Sequence, residues 1–129
     1  MKIQVIGLGL IGGSLCKALS RGGVHRVLGM DIDPETVRKA LISGAIQEEG
    51  TAATLKEADL AVVCLYPEGT IPFLLEHRED FKKGGIVCDV CGVKAAVVHA
   101  AAGPLREAGV RFVGCHPMAG REFSGFDYA

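Results

Sequence analysis

The chain has 129 residues, enough for one domain with a sizeable core, and 49% of them are apolar and can fill it. Its 14 basic and 15 acidic residues are mixed along the chain and sum to −1, which excludes the basic footprint of a nucleic-acid binder and the polybasic patch of a membrane anchor. No apolar run approaches the ~20 residues of a membrane span, and the first residues read as a strand rather than a secretory leader, so a soluble cytoplasmic protein is expected.

Lys2 to Ile6 reads as a short apolar strand. It is followed by Gly7-Leu8-Gly9-Leu10-Ile11-Gly12, then by a helix from Ser14 to about Ser20, closed by Arg21-Gly22-Gly23. A strand, three glycines at this spacing and a helix form the context in which a loop binds a dinucleotide. Gly7 allows the tight turn off the strand. Gly9, lacking Cβ, lets the backbone approach a pyrophosphate, and Gly12 lets the helix pack on the strand. The free N–H groups at the helix start then face the phosphates.

A second strand, Arg26 to Met30, ends at Asp31, which follows Gly12 by 19 positions. An acidic residue at about that distance accepts from the ribose hydroxyls of the adenosine and repels a 2′-phosphate, which favours NAD over NADP. The alternative is that Asp31 or Asp33 caps the next helix, since Asp33-Pro34-Glu35 is an N-cap with Pro at the first helical position. Both readings hold together if Asp33 caps and Asp31 binds ribose. The second helix spans about Pro34 to Ser43 and closes at Gly44. A short third strand is expected at Ala45 to Gln47, and one helical turn at Leu55 to Ala58.

The fourth strand, Asp59 to Leu65, is a near-continuous apolar run, as suits a central parallel strand buried on both faces. Tyr66-Pro67-Glu68-Gly69 breaks it, and a helix follows over Thr70 to Phe81. The fifth strand is Ile86 to Val90, with Cys91-Gly92-Val93-Lys94 after it and a helix from Lys94 to about Ala102. Gly103-Pro104 is expected to break or kink that helix, leaving Leu105 to Ala108 as a short turn. Val110 to Cys115 is the sixth strand, followed by His116 and a polar, glycine-containing loop. This alternation with short connections calls for a doubly wound α/β fold, with a mainly parallel sheet covered on both faces.

In such a sheet the ends of strands four to six share one edge with the glycine loop. Leu65, Tyr66 and Pro67, then Cys91 and Gly92, then His116 fall there, along the nicotinamide end of a bound dinucleotide. His116 precedes a proline, so its backbone is extended. A neutral imidazole there can take a proton from a substrate hydroxyl as hydride leaves the same carbon. The alternative is a strand-end histidine that only hydrogen-bonds the loop. His25, His77 and His99 read as solvated or packing residues. Lys94 suits an anionic group but also a solvated helix start, and Arg121 and Glu122 are equally open. The five cysteines, Cys16, Cys64, Cys88, Cys91 and Cys115, mostly fall inside apolar runs and read as buried free thiols. Cys88 and Cys91 point to opposite faces of a strand, so no metal site is expected.

Three blocks carry a family resemblance: Gly7 to Ser14, Asp89-Val90-Cys91-Gly92-Val93-Lys94, and Gly114-Cys115-His116-Pro117-Met118-Ala119-Gly120 with Glu122 and Ser124-Gly125 after it. Together they resemble the prephenate dehydrogenase family, in order and along the whole chain. The glycine motif is common to many dehydrogenases; the His-Pro-Met-Ala-Gly block is much more specific. The resemblance implies a Rossmann-type domain, NAD as cofactor, and oxidative decarboxylation of prephenate to 4-hydroxyphenylpyruvate in tyrosine biosynthesis. It implies His116 as the acceptor of the ring hydroxyl's proton. Gly7, Gly9, Gly12 and Asp31 would be cofactor residues, Tyr66-Pro67 the loop over the ribose-nicotinamide end, and Glu122 an acidic residue near the substrate.

Two departures stand out. Many members carry Ser where this chain has Gly92, and that hydroxyl contacts the nicotinamide and the histidine. Here a backbone N–H, a water or Ser124 would have to substitute. The family also has a helical C-terminal domain that dimerises and supplies an arginine for the substrate carboxylates. The chain lacks it, so it reads as the N-terminal half of a longer enzyme, a homodimer in that form and poorly active without it. Arogenate dehydrogenase and a non-catalytic NAD-binding regulatory module are the other readings.

Overall fold

A computed structural model describes residues 1–92, 94–116 and 125–129. Six strands, β1 (Lys2–Ile6), β2 (Arg26–Met30), β3 (Glu48–Glu49), β4 (Leu60–Val63), β5 (Ile86–Asp89) and β6 (Arg111–Gly114), form one sheet in the order β3-β2-β1-β4-β5-β6. Every pairing is parallel. Four helices connect them: α1 (Leu10–Ser20), α2 (Pro34–Ser43), α3 (Pro67–Glu76) and α4 (Lys94–Glu107). This is the doubly wound order whose direction reverses at β1, and ligands bind outside the carboxyl ends of the strands at that point.

Side-chain alternation sends each strand's residues to two cores. Ile3, Val5, Val27 and Val62 pack with Leu8, Cys16, Val37 and Ala40 from the α1 and α2 side. Ile6, Ala61, Val63 and Val87 pack with Leu74, Val97, Ala101 and Leu105 from the α3 and α4 side. Apart from the buried, hydrogen-bonded Gln4 of β1, the central strands are therefore apolar on both faces, and fully burying each such side chain stabilises by roughly 1.5–3 kcal/mol.

β4, β5 and β6 are each one to three residues shorter than expected, and four elements differ more. α1 starts at Leu10, inside the glycine motif, because Gly13 N–H already bonds the Gly9 carbonyl at 2.8 Å. β3 lies at Glu48–Glu49, not at 45–47, since Ala45 and Ile46 are still engaged in closing α2: both donate to the Ala40 carbonyl, at 3.0 and 3.3 Å. α3 starts at Pro67 and ends at Glu76. Proline suits the first helical position, where its missing N–H has no partner to lose, and the buried Thr70 hydroxyl donates to the Leu65 and Tyr66 carbonyls. α4 runs unbroken through Gly103-Pro104. A proline inside a helix costs about 3 kcal/mol, but Ala101 and Leu105 are both fully buried and hold the two halves on one core.

Candidate functional site

The switch point places the ends of β1, β2 and β4 beside the start of α1. Gly7 turns the chain at φ +92°, and its N–H donates to the Met30 carbonyl at 2.8 Å. A Cβ on Gly7 would collide with the Cys64 carbonyl, and one on Gly12 with the Gly7 carbonyl. These two glycines let β1, β4 and α1 approach one another. Gly9 is different. Among the described residues a Cβ there would meet nothing within 4 Å, so its bare backbone is left uncovered by them.

The two helices on this side end differently. α2 is capped from within: the Asp33 carboxylate accepts from Glu35 N–H at 3.1 Å and from the Thr36 hydroxyl at 2.9 Å, with Pro34 next in line. α1 has no side-chain cap and no acidic residue in its first turn. The N–H groups of Leu10, Ile11 and Gly12 precede its first helical hydrogen bond. The positive end of α1 is thus open beside Gly9, an arrangement that suits an anion.

Asp31 joins the end of β2 to this loop. One carboxylate oxygen accepts from Leu8 N–H at 2.8 Å and the other from Asp33 N–H at 2.9 Å. Asp33 is therefore the α2 cap, and Asp31 is not. Among the described residues each Asp31 oxygen accepts one hydrogen bond and has capacity for another, and Asp31 is half-buried. Ile32 beside it is fully exposed. The Leu8 side chain points into the α1 and α2 core, so only its backbone lies in the loop. Leu65 packs against the α3 and α4 core near Gly7, whereas Tyr66 is 78% exposed and Pro67 is exposed at the start of α3.

The β5 and β6 ends form the other half. Cys91 is buried and Gly92 is exposed. A Cβ built on Gly92 would lie 3.3 Å from His116 Nε2, so the exposed imidazole sits over the Gly92 backbone. Beneath them Asp89, fully buried, accepts from Cys91 N–H at 3.0 Å and from Lys94 Nζ at 2.5 Å through the same oxygen, Oδ2. Oδ1 has no partner among the described residues. Sequence reasoning missed Asp89 and left Lys94 open, because a strand-end acid and a helix-start lysine five residues apart carry no signal of burial. Glu122 and Ser124 lie outside the described residues, as does the Pro117-to-Gly120 part of the specific motif.

The other histidines sit away from this edge. His77 caps the end of α3, 2.8 Å from Asp80 and stacked on Phe73, and His99 is exposed on α4. The five cysteines are free, but only Cys16 and Cys91 are buried as expected; Cys64, Cys88 and Cys115 are half-buried. Cys88 packs in the α1 and α2 core and Cys91 in the opposite one. Burial pushes the Cys16 and Cys88 thiols up to about 12 and the Cys64 thiol higher still. Among the described residues no helix is long and apolar enough to cross a membrane.

Known proteins match this arrangement. The solved structure of arogenate dehydrogenase from Synechocystis superposes with a TM-score of 0.91 at 34% identity, over all of this chain and 45% of that one. Prephenate dehydrogenase from A. aeolicus, solved with hydroxyphenyl propionate and NAD+, superposes with a TM-score of 0.82 at 29% identity, over 99% of this chain and 45% of that one. The prephenate dehydrogenase of Bacillus subtilis is 34% identical over 127 residues, 95% of this chain, of whose own length the chain spans about a third, 34%. The family model for the nucleotide-binding domain of prephenate dehydrogenase matches residues 15–129. The chain belongs to the prephenate dehydrogenase family, as its nucleotide-binding domain.

Proposed function

We propose that this domain binds NAD across the switch point and presents it to prephenate, for the oxidative decarboxylation that yields 4-hydroxyphenylpyruvate. The uncapped start of α1 beside the bare Gly9 backbone carries the reading, because it is a cradle for a pyrophosphate that no group among the described residues fills. The N–H groups of Leu10, Ile11 and Gly12 would hold the phosphates. Asp31 would accept from the adenosine ribose hydroxyls and disfavour a 2′-phosphate. Leu65, Tyr66, Pro67, Cys91 and Gly92 would border the nicotinamide end. The bound nicotinamide supplies the hydride acceptor. His116 accepts the hydrogen bond of the substrate's ring hydroxyl and then its proton as the C4–H bond breaks. A neutral imidazole is needed for this.

Family resemblance gives Glu122 and Ser124 to the substrate side. It also gives the working enzyme a homodimer built through a helical domain. The relatives' greater length supports assigning the substrate's carboxylates to residues beyond this domain. Arogenate, the substrate in the name of the Synechocystis protein, is the second reading. A longer form with the rest of the relatives' length should oxidise prephenate faster than arogenate; the reverse order would favour the second reading. In that form His116→Ala is expected to lower turnover by roughly 10²–10⁴-fold with little change in NAD affinity. Unchanged turnover would remove His116 from the mechanism.

A further inference from the structure

We propose that Lys94 is a positioning residue for His116, acting through Asp89 and through a notch at Gly114. The proposal rests on the reading of His116 as proton acceptor and adds what holds that side chain in place.

Three observations meet at Lys94. Its ammonium reaches down from the first residue of α4 to the fully buried Asp89, at 2.5 Å. The same Asp89 oxygen accepts from Cys91 N–H, so one carboxylate oxygen ties the ammonium to the turn that carries Gly92. Gly92 in turn lies directly under His116 Nε2. On the other side, the Lys94 stem crosses the end of β6. A Cβ on Gly114 would lie 2.7 Å from Lys94 Cδ, so the stem occupies the space that glycine leaves, two residues before His116. The Asp89 carbonyl also accepts from Cys115 N–H at 3.1 Å, the residue immediately before the histidine. One lysine therefore ties the floor beneath the imidazole and the strand that carries it.

The chemistry makes this tie directional. A carboxylate with no water access demands a cation, and among the described residues Lys94 is the one that reaches it. The side chain must lie across Gly114 to do so. Loss of the ammonium frees the Cys91–Gly92 turn and the stem together, and the imidazole loses both constraints. The Lys94 ammonium bonds Asp89, so both are positioning residues and neither is assigned a catalytic step.

The test uses the 129-residue chain labelled on histidine, with ring resonances followed by NMR and His116 identified from His116→Ala. Lys94→Met is expected to shift the His116 ring signals by more than a linewidth while those of His25, His77 and His99 stay in place. His99 is on α4 itself, so it reports any displacement of the helix as a whole. Lys94→Arg, which keeps charge and reach, should bring the His116 signals back toward their original positions. An unmoved His116 in a cooperatively melting Lys94→Met chain would overturn the proposal, and so would equal movement of His99 and His116. If Lys94→Met does not fold, the double variant Asp89→Asn, Lys94→Met removes the buried charge with its cation and is read by the same signals. The spectra need no NAD, so absence of NAD binding would count against the parent reading alone.

Discussion

Gly9 and Gly12 lie three residues apart in one loop and answer different demands. Gly12 is required by the fold, since any Cβ there enters the Gly7 carbonyl. Gly12→Ala should therefore destabilise the domain by roughly 1–3 kcal/mol, visible as a lower melting temperature. Gly9 has negative φ and nothing near its missing Cβ. Gly9→Ala should leave the melt nearly unchanged and weaken NAD at least about tenfold, since one charged hydrogen bond is worth about 1.5–3 kcal/mol. Calorimetry and melting on the two variants check this split; a Gly9→Ala chain that binds NAD normally would show that the loop does not carry the phosphates. The packing role of Gly12 was legible because it follows from backbone sterics at fixed spacing. That Asp31 anchors the loop through Leu8 N–H was not, because a bond over 23 positions depends on how β1 and β2 register.

At the scale of elements, the contrast between α1 and α2 was half legible. Asp33-Pro34 announces a capped helix and the glycine motif announces an uncapped one. α4 was misjudged because Gly103-Pro104 is a local signal, and burial of Ala101 and Leu105 outweighs it. β3 was displaced because closure of α2 consumes Ala45 and Ile46 first. The buried pair at the head of α4 belongs to this scale too. Removing one partner of a buried ion pair costs about 3–5 kcal/mol, so Lys94→Met should lower stability far more than Lys39→Met, whose partner Asp127 is exposed. Denaturant melts compare them, and equal midpoints would show that Asp89 is compensated by something other than Lys94.

Over the whole molecule, the central strands of the sheet bury both faces; Cys16 is buried there and Cys64 and Cys88 are half-buried. Their pKa is raised in the folded chain, from 9.0 to about 12 for Cys16 and Cys88. The folded state then keeps protons that the unfolded chain releases above pH 9. Stability from these groups is fully present below that value and is lost as pH rises toward 12. Melting temperature should fall through that window, and a chain with Cys16→Ala and Cys88→Ala should show a smaller fall from its own starting value. An equal fall in both would assign the alkaline loss elsewhere. The same sheet brings the end of β2 to the glycine loop, and that juxtaposition underlies the central claim, NAD binding governed by Asp31. The most direct measurement is a calorimetric titration of the 129-residue chain with NAD and with NADP. Saturable binding of NAD, tighter than NADP, is predicted, with the preference narrowed in Asp31→Ser; equal or reversed preference in the unsubstituted chain would contradict the account.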